Sequence, residues 1–211
     1  MRVGVYVITS AGLVAGRGHL EVGRAAVEGG ADALQLRAPE LGGAELLPLA
    51  RQLAAECRAA GTAFIVNDRV DVAIDSGAAG VHVGQSDDPT GARAAIGPDG
   101  ILGVSVATLG EARAAEACGA DYLGVTVWAT ATKPEATPVG LDRFREIAAV
   151  ARIPIVGIGG IDASNAALVL GAGAAGVAVI SAVGAAPDPV AATRSLVDAV
   201  HAHSIKGARW Q

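Results

Sequence analysis

The chain has 211 residues, of which 52% are hydrophobic and only 3% aromatic, so it favours one compact domain with an aliphatic core over residues 1–211. Its 29 glycines show no three-residue period, which excludes a collagen-like chain. The net charge of −5 and the scattered basic residues argue against a nucleic-acid partner.

The N-terminal stretch begins with an arginine and an apolar run, as a signal sequence does. Tyr6, Thr9 and Ser10 interrupt that run early, and VGVYVIT suits a first strand better. Cys57 and Cys118 lack a metal-type spacing and are expected to be buried, reduced thiols. No apolar run approaches the ~20 residues that cross a bilayer. We therefore expect a cytoplasmic protein without a membrane partner, and a homo-oligomer remains possible.

Eight short apolar strands are predicted in two alternating sets. One set occupies residues 3–9, 63–67, 101–105 and 153–160. In the other set a glycine–alanine pair ends a helix-like segment before the strand, in GADALQL, GAAGVHV, GADYLGV and GAAGVAV, which start at Gly30, Gly77, Gly119 and Gly173.

Helical periodicity separates these strands and is clearest over residues 43–61 and 108–119, with a last helix near 189–203. Eight strands alternating with eight helices in this length predict an α/β fold, a (β/α)8 TIM barrel. A doubly wound sheet is the alternative, but no GxGxxG motif follows the first strand.

Polar or glycine-rich residues follow the predicted strands, at the ends that form the catalytic face of such barrels. In chain order these are Gln35, Arg37, Asn67, Asp68, Arg69, His82, Gln85, Asp87, Asp88, Ser105, Thr130, Thr132, Lys133, Gly160, Ile180 and Ser181.

Several of these residues also have a structural interpretation. Asp68 could cap the helix that follows it, and Arg69 is typical of a solvated turn. Asp88 precedes a proline, as a helix N-cap often does. His82 lies mid-strand, which favours a hydrogen-bonded core imidazole over a catalyst.

The remaining residues suggest chemistry on anionic substrates. Asp68 and Asp87 on adjacent strands could hold Mg²⁺, which takes few carboxylates and adds substrate phosphates as ligands. Arg37 and Lys133 supply positive charge for a departing pyrophosphate, helped by amide and hydroxyl donors from Asn67 and Ser105. The GIGG stretch and the segment at Ile180 and Ser181 occupy the common phosphate site of these barrels. Two anion sites indicate a transferase that joins two phosphorylated substrates.

The sequence resembles the thiamine-phosphate synthase family over residues 6–183. The motifs that carry the resemblance are QLR, FIVNDRVDVAIDSGAAGVHVGQSD, GVS, GADYLG, TATK, IPIVGIGGI and AGVAVISAV, in that order along the chain. The resemblance implies that hydroxymethylpyrimidine diphosphate loses pyrophosphate to give a stabilised carbocation, which the nitrogen of a thiazole phosphate captures.

The resemblance also implies a role for each matching residue. Gln35 orients the aminopyrimidine, and Asp68 and Asp87 bind Mg²⁺. The diphosphate is held by Arg37, Asn67, Ser105 and Lys133, with Arg37, Ser105 and Lys133 as the catalytic set. The thiazole phosphate is held by Thr130, Thr132, Gly160, Ile180 and Ser181.

Three departures from the family pattern lie near the predicted mouth. The usual QxREK reads QLRAP, so Pro39 stands where the family has a lysine, a phosphate contact worth about 1–3 kcal/mol. Ala107 replaces a common histidine, and residues 126–129 form a shorter segment. These changes leave two alternatives: a thiazole tautomerase, which resembles this family but uses that histidine, and a catalytically impaired phosphate-binding homologue.

Overall fold

The structure is a computed structural model that describes residues 4–14, 16–85, 87–132 and 136–207, with side chains described up to residue 203. Its strands are β1 (Val5–Ile8), β2 (Ala33–Leu36), β3 (Ala63–Asn67), β4 (Gly80–Val83), β5 (Ile101–Ser105), β6 (Tyr122–Thr126), β7 (Ile155–Ile158) and β8 (Gly176–Val179). Its helices are α1 (His19–Glu28), α2 (Gly43–Ala60), α3 (Val70–Ser76), α4 (Pro89–Ile96), α5 (Leu109–Ala117), α6 (Gly140–Val150), α7 (Ala166–Gly171), α8 (Ser181–Gly184) and α9 (Pro189–Gly207).

The eight strands form one closed parallel barrel in sequence order, with β1 paired to both β2 and β8. This closure confirms the predicted TIM barrel and excludes the doubly wound sheet, which has two open edges. The described residues contain one helix more than the eight predicted, because the short α8 lies between β8 and the long α9.

The repeated glycine–alanine pairs have a shared backbone cause. Gly30, Gly77, Gly119 and Gly173 all adopt positive φ, between 67° and 104°, at or just after the end of a helix. A side chain in this left-handed region costs roughly 1–2 kcal/mol, which glycine avoids. The repeat therefore marks four turns, each of which connects the end of a helix to the next strand.

Apolar side chains fill two layers. The larger layer lies between the barrel and its helices, and Cys57 is fully buried in it. The smaller layer fills the barrel interior around Tyr6, Ile65 and Tyr122. Cys118 is only partly buried, so the expectation of a buried thiol was wrong for this residue, which ends α5. Among the described residues, no helix is both long and apolar enough to cross a membrane.

The pairing register brings the predicted polar residues to one end of the barrel. Asn67 at the end of β3 lies beside His82 on β4, and Ser105 at the end of β5 lies beside Gly124 on β6. Because alternate residues of a strand face the same side, each strand presents its last inward residue to this mouth.

Candidate active site

Three adjoining cavities occupy the carboxyl-terminal mouth of the barrel. The central pocket lies on an apolar floor. That floor is formed by Tyr6, Ile8, Tyr122, Val156, Ile158, Ala178 and Ile180. Gln35 enters this pocket as a buried polar side chain.

The second cavity, called here the acidic cavity, is roomier than the central pocket and opens beside β3, β4 and β5. Asp68 and Asp87 line it. Arg37, Asn67 and Ser105 line both this cavity and the central pocket, so the two spaces are continuous.

The third cavity, called here the hydroxyl pocket, is smaller than the other two and lies between the ends of β7 and β8 and the loop after β6. Its polar lining is Thr130, Thr132, Gly160 and Ser181. Ile180 and Thr130 also line the central pocket, which therefore has a polar cavity on each side.

A row of five polar side chains crosses the central pocket. The Gln35 amide donates to the Tyr6 hydroxyl at 2.7 Å, and the Tyr6 and Tyr122 hydroxyls lie 3.0 Å apart. Tyr122 lies 2.9 Å from Nδ1 of His82, whose Nε2 lies 2.9 Å from Oγ of Ser105. This network links Gln35 on one wall of the pocket to Ser105 on the opposite wall.

The network stays uncharged at its two tyrosines. Burial raises the pKa of Tyr6 and of Tyr122 well above the ordinary value, so both phenols remain protonated at physiological pH. One consistent direction of donation then runs from Gln35 through the tyrosines and His82 to Ser105. In that direction the Ser105 hydroxyl hydrogen is left to point at a ligand in the acidic cavity.

Sequence reasoning missed Tyr6 and Tyr122 and assigned His82 a core role. His82 is indeed hydrogen-bonded, but it also lines both the central pocket and the acidic cavity. A signal was present: the chain has only two tyrosines, and both lie on strands at inward positions. In the folded barrel Gly103 on β5 leaves room for this contact, because a Cβ there would collide with the Tyr122 ring and the His82 imidazole.

Asp68 has an unusual backbone. Its φ of 59° makes it the only described non-glycine residue with positive φ, and its N–H donates to the His82 carbonyl at 2.8 Å. Its carboxylate accepts a hydrogen bond from the Asn67 amide at 2.5 Å. The N-cap residue of α3 is Arg69, not Asp68. The capping interpretation of Asp68 is therefore wrong. Strain of this kind recurs at functional sites because the surrounding structure must hold it in place.

The structural interpretations of Asp88 and Arg69 are confirmed. The Asp88 carboxylate accepts from the Gly91 N–H at 3.0 Å and caps α4. Arg69 forms an exposed ion pair with Asp71 at 2.6 Å. Asp87 differs from both, because it lines the acidic cavity while one of its oxygens accepts from the Gly84 N–H at 2.6 Å.

The donor chemistry of the acidic cavity fits Mg²⁺ better than a transition metal. The described residues contain no cluster of three or more His, Cys, Asp or Glu side chains that could enclose a metal. Two carboxylates facing a roomy cavity suit an ion that keeps several waters and takes substrate phosphates as further ligands. Asp68 and Asp87 could hold such an ion, with its remaining positions open.

Backbone shape defines the hydroxyl pocket. Gly159 and Gly160 adopt φ of 94° and 63°, and the Asn165 amide donates to the Gly160 carbonyl at 2.9 Å. The hydroxyls of Thr130 and Thr132 lie 2.9 Å apart. Lys133, predicted for the diphosphate, lies outside the described residues.

The departures from the family pattern lie at the rim. Ala38 is buried and Pro39 is exposed, so the β2–α2 segment turns its proline outward. The Ala107 N–H donates to the Glu111 carboxylate at 2.6 Å, as part of the start of α5.

The fold and these cavities define a (β/α)8-barrel protein with two polar cavities flanking an apolar pocket. The chain belongs to the thiamine monophosphate synthase family, whose model matches residues 5–183. It is 51% identical to the thiamine-phosphate synthase of Moorella thermoacetica, over 93% of this chain and 95% of that protein. It is 46% identical to the thiamine-phosphate synthase of Methanocella arvoryzae, over 98% of this chain and 99% of that protein.

Comparison with a solved structure supports the same family. The thiamine phosphate pyrophosphorylase from Pyrococcus furiosus superposes with a TM-score of 0.88 at 40% identity, covering 96% of this chain and 98% of that one. The predicted family is therefore confirmed by both sequence and fold.

Proposed function

We propose that this protein is a thiamine-phosphate synthase: a transferase that moves the hydroxymethylpyrimidine group from its diphosphate to thiazole phosphate. The observation that carries the proposal is the order of the three cavities. An apolar pocket suited to a flat heterocycle lies between the acidic cavity and the hydroxyl pocket. Two substrates that each carry phosphate would fill the two polar cavities and meet in the apolar one.

The acidic cavity suits the diphosphate end of the pyrimidine substrate. Arg37 offers a planar guanidinium, and Asn67 and Ser105 offer neutral donors at the boundary with the central pocket. Two carboxylates line the same space and would repel a diphosphate in the absence of a cation. Asp68 and Asp87 would hold Mg²⁺, which when bound neutralises charge on the departing pyrophosphate.

The central pocket suits the pyrimidine ring. Its floor is apolar, and Gln35 is fixed there by its hydrogen bond to Tyr6. With its nitrogen donating to Tyr6, the Gln35 amide turns its oxygen as an acceptor for an exocyclic amino group.

The hydroxyl pocket suits the thiazole phosphate. Glycine backbone with positive φ at Gly160 allows close approach of a phosphate, and two threonine hydroxyls face the same space. Ile180 and Ser181 complete the pocket on the β8 side.

In the proposed reaction the bond between the pyrimidine methylene carbon and the diphosphate oxygen breaks, and its electron pair leaves with pyrophosphate. The thiazole nitrogen then gives its lone pair to the methylene carbon. No proton transfer is needed in either step, so the site requires stabilisation of the leaving group and exclusion of water. The Ser105 hydroxyl, oriented by His82, donates to the leaving oxygens.

The test is direct. Purified protein is incubated with Mg²⁺, hydroxymethylpyrimidine diphosphate and thiazole phosphate, and thiamine phosphate and pyrophosphate are measured. We expect equal amounts of both products, and loss of both in excess chelator. Isomerisation of a thiazole phosphate in the absence of the pyrimidine substrate, without coupled product, would support the tautomerase alternative instead. Substrate binding without any turnover would support the impaired homologue.

A further inference from the structure

A second polar cluster lies beside the mouth, outside the three cavities. His19, the first residue of α1, is only 6% exposed, and its Nδ1 lies 2.8 Å from Oγ1 of Thr9 at the end of β1. Its Nε2 lies 2.6 Å from Oε1 of Glu40, in the segment between β2 and α2. Three separate parts of the chain are therefore connected through one imidazole.

The hydrogen bonds of this cluster fit one another. Because a carboxylate only accepts, Nε2 of His19 carries the hydrogen shared with Glu40. In the neutral imidazole Nδ1 then accepts from the Thr9 hydroxyl. The Thr9 oxygen in turn accepts from the backbone N–H of Arg37 at 3.3 Å. Each donor has an acceptor, in a directional series from Arg37 to Glu40.

This series excludes one catalytic interpretation. A hydroxyl, an imidazole and a carboxylate in a row resemble the arrangement that activates a nucleophile. Thr9 is 0% exposed, however, and its oxygen is already engaged by Arg37 and His19. A substrate cannot reach it, so the cluster acts through its neighbours.

The neighbour it holds is the segment that carries Arg37. Thr9 grips the segment at its start, where its own N–H also donates to the Gln35 carbonyl at 2.9 Å. Glu40 holds it three residues later, within the turn in which the Leu41 N–H donates to the Ala38 carbonyl at 3.1 Å. Partial burial opposes ionisation of Glu40, yet the hydrogen bond from His19 and nearby positive charge, including that of Arg37, lower its pKa.

We propose that Thr9, His19 and Glu40 form a tether that positions Arg37 for the diphosphate. The assignment of Arg37 rests on the proposed function, whereas the tether itself rests on the hydrogen bonds alone. The tether holds the segment in which Pro39 stands in place of the lysine of the family pattern, and Arg37 of this segment lines the acidic cavity. Its three members are positioning residues, because none lines the cavities.

The first test needs no substrate. Hydrogen exchange of a peptide spanning residues 37–41 is compared in wild type, Glu40→Ala, Glu40→Gln and Glu45→Ala. Loss of one partly exposed hydrogen bond predicts that Glu40→Ala exchanges about threefold to tenfold faster. Glu40→Gln keeps an acceptor for His19 and should restore most of the protection. Glu45→Ala removes an exposed carboxylate from the first turn of α2, just after this segment, and should match wild type. Equal exchange in wild type and Glu40→Ala would overturn the tether.

The second test asks whether the tether acts through Arg37. In the synthase assay Glu40→Ala should lower kcat/KM for the pyrimidine diphosphate about threefold to tenfold, and leave the KM for thiazole phosphate unchanged. In an Arg37→Ala background the same substitution should have little further effect, because coupled residues are not additive. A full Glu40 effect without Arg37 would overturn the positioning role. A wild type that forms no thiamine phosphate would refute the proposed function instead, and the exchange measurement would still decide the tether.

Discussion

The two halves of the barrel mouth bind by different means. On the β2–β5 side, charged and polar side chains line the acidic cavity: Arg37, Asn67, Asp68, Asp87 and Ser105. On the β7–β8 side, the hydroxyl pocket is shaped by glycines with positive φ and small hydroxyl groups, without a described charged side chain.

The difference matches what each proposed ligand requires. A leaving group gains charge as its bond breaks, so charged groups that strengthen in the transition state lower the barrier. A phosphate that only anchors a substrate keeps its charge throughout, and fixed hydroxyl and backbone dipoles suffice to bind it. Substitutions in the first half should therefore affect turnover, whereas those in the second should affect the affinity for one substrate.

The largest effect is expected at Asp68. Asp68→Asn retains an amide-sized side chain that tolerates positive φ but removes the negative charge proposed for Mg²⁺ binding. We expect a loss of about 10²–10³ in kcat, measured by pyrophosphate release at saturating substrates, on the scale of removing one key electrostatic contact.

Asp88→Asn is the matched control for this variant. Asparagine caps helices as well as aspartate does, so α4 should keep its start and activity should stay near that of wild type. Normal turnover of Asp68→Asn across a range of Mg²⁺ concentrations would show that the metal assignment is wrong.

The next effect is expected at Ser105, where the polar network meets the acidic cavity. Ser105→Ala removes the hydroxyl donor that His82 orients. The substitution should not disturb the pairing of β5 with β6, because the residue beside Ser105 on β6 is Gly124, which has no side chain. We expect kcat/KM for the pyrimidine diphosphate to fall about 10–100-fold, with the KM for thiazole phosphate unchanged. A change in the KM for thiazole phosphate larger than the change in kcat/KM for the pyrimidine diphosphate would contradict the assignment of the two substrates to different halves of the mouth.

The opposite half gives a smaller and different effect. Thr132→Val is nearly isosteric and removes one hydroxyl from the hydroxyl pocket. We expect the KM for thiazole phosphate to rise about threefold to tenfold while kcat at saturation stays the same, as for lost ground-state binding. Initial rates measured over both substrate concentrations separate the two constants, and a fall in kcat alone would place Thr132 near the leaving group instead.

The sequence predicted the barrel well because its repeat reflects backbone geometry. Each Gly–Ala pair marks a turn that only glycine tolerates easily and precedes a buried strand, so the four pairs located every second strand of the barrel. The residues of the acidic cavity were also predictable, because strands of a parallel barrel all end at the same face.

The polar network was not predictable in the same way. Its members Tyr6, His82 and Tyr122 are far apart in sequence, and only the closure of the barrel brings β1, β4 and β6 around one interior. The tether has the same origin, since His19 meets Glu40 only after α1 docks beside β2. Spacing along the chain contains no signal for contacts that depend on closure.

A smaller effect on turnover than at Ser105 is expected from the polar network that crosses the central pocket. Tyr122→Phe removes the hydroxyl between Tyr6 and His82, so His82 loses the partner that orients it toward Ser105. We expect kcat to fall about threefold to tenfold, less than in Ser105→Ala, because Ser105 itself remains. Burial keeps both tyrosines protonated, so the wild-type rate should show no tyrosine ionisation between pH about 7 and 9.

Tyr6→Phe is the companion variant, because it breaks the same network on the other side of Tyr122. It removes the partner of Gln35 and leaves the contact between Tyr122 and His82 intact. We expect it to raise the KM for the pyrimidine diphosphate and to change kcat less than Tyr122→Phe does. Identical kinetics in the two variants would mean that the tyrosine pair only stabilises the barrel interior. Both substitutions should then lower the melting temperature and have the same effect on kcat and on the KM for the pyrimidine diphosphate.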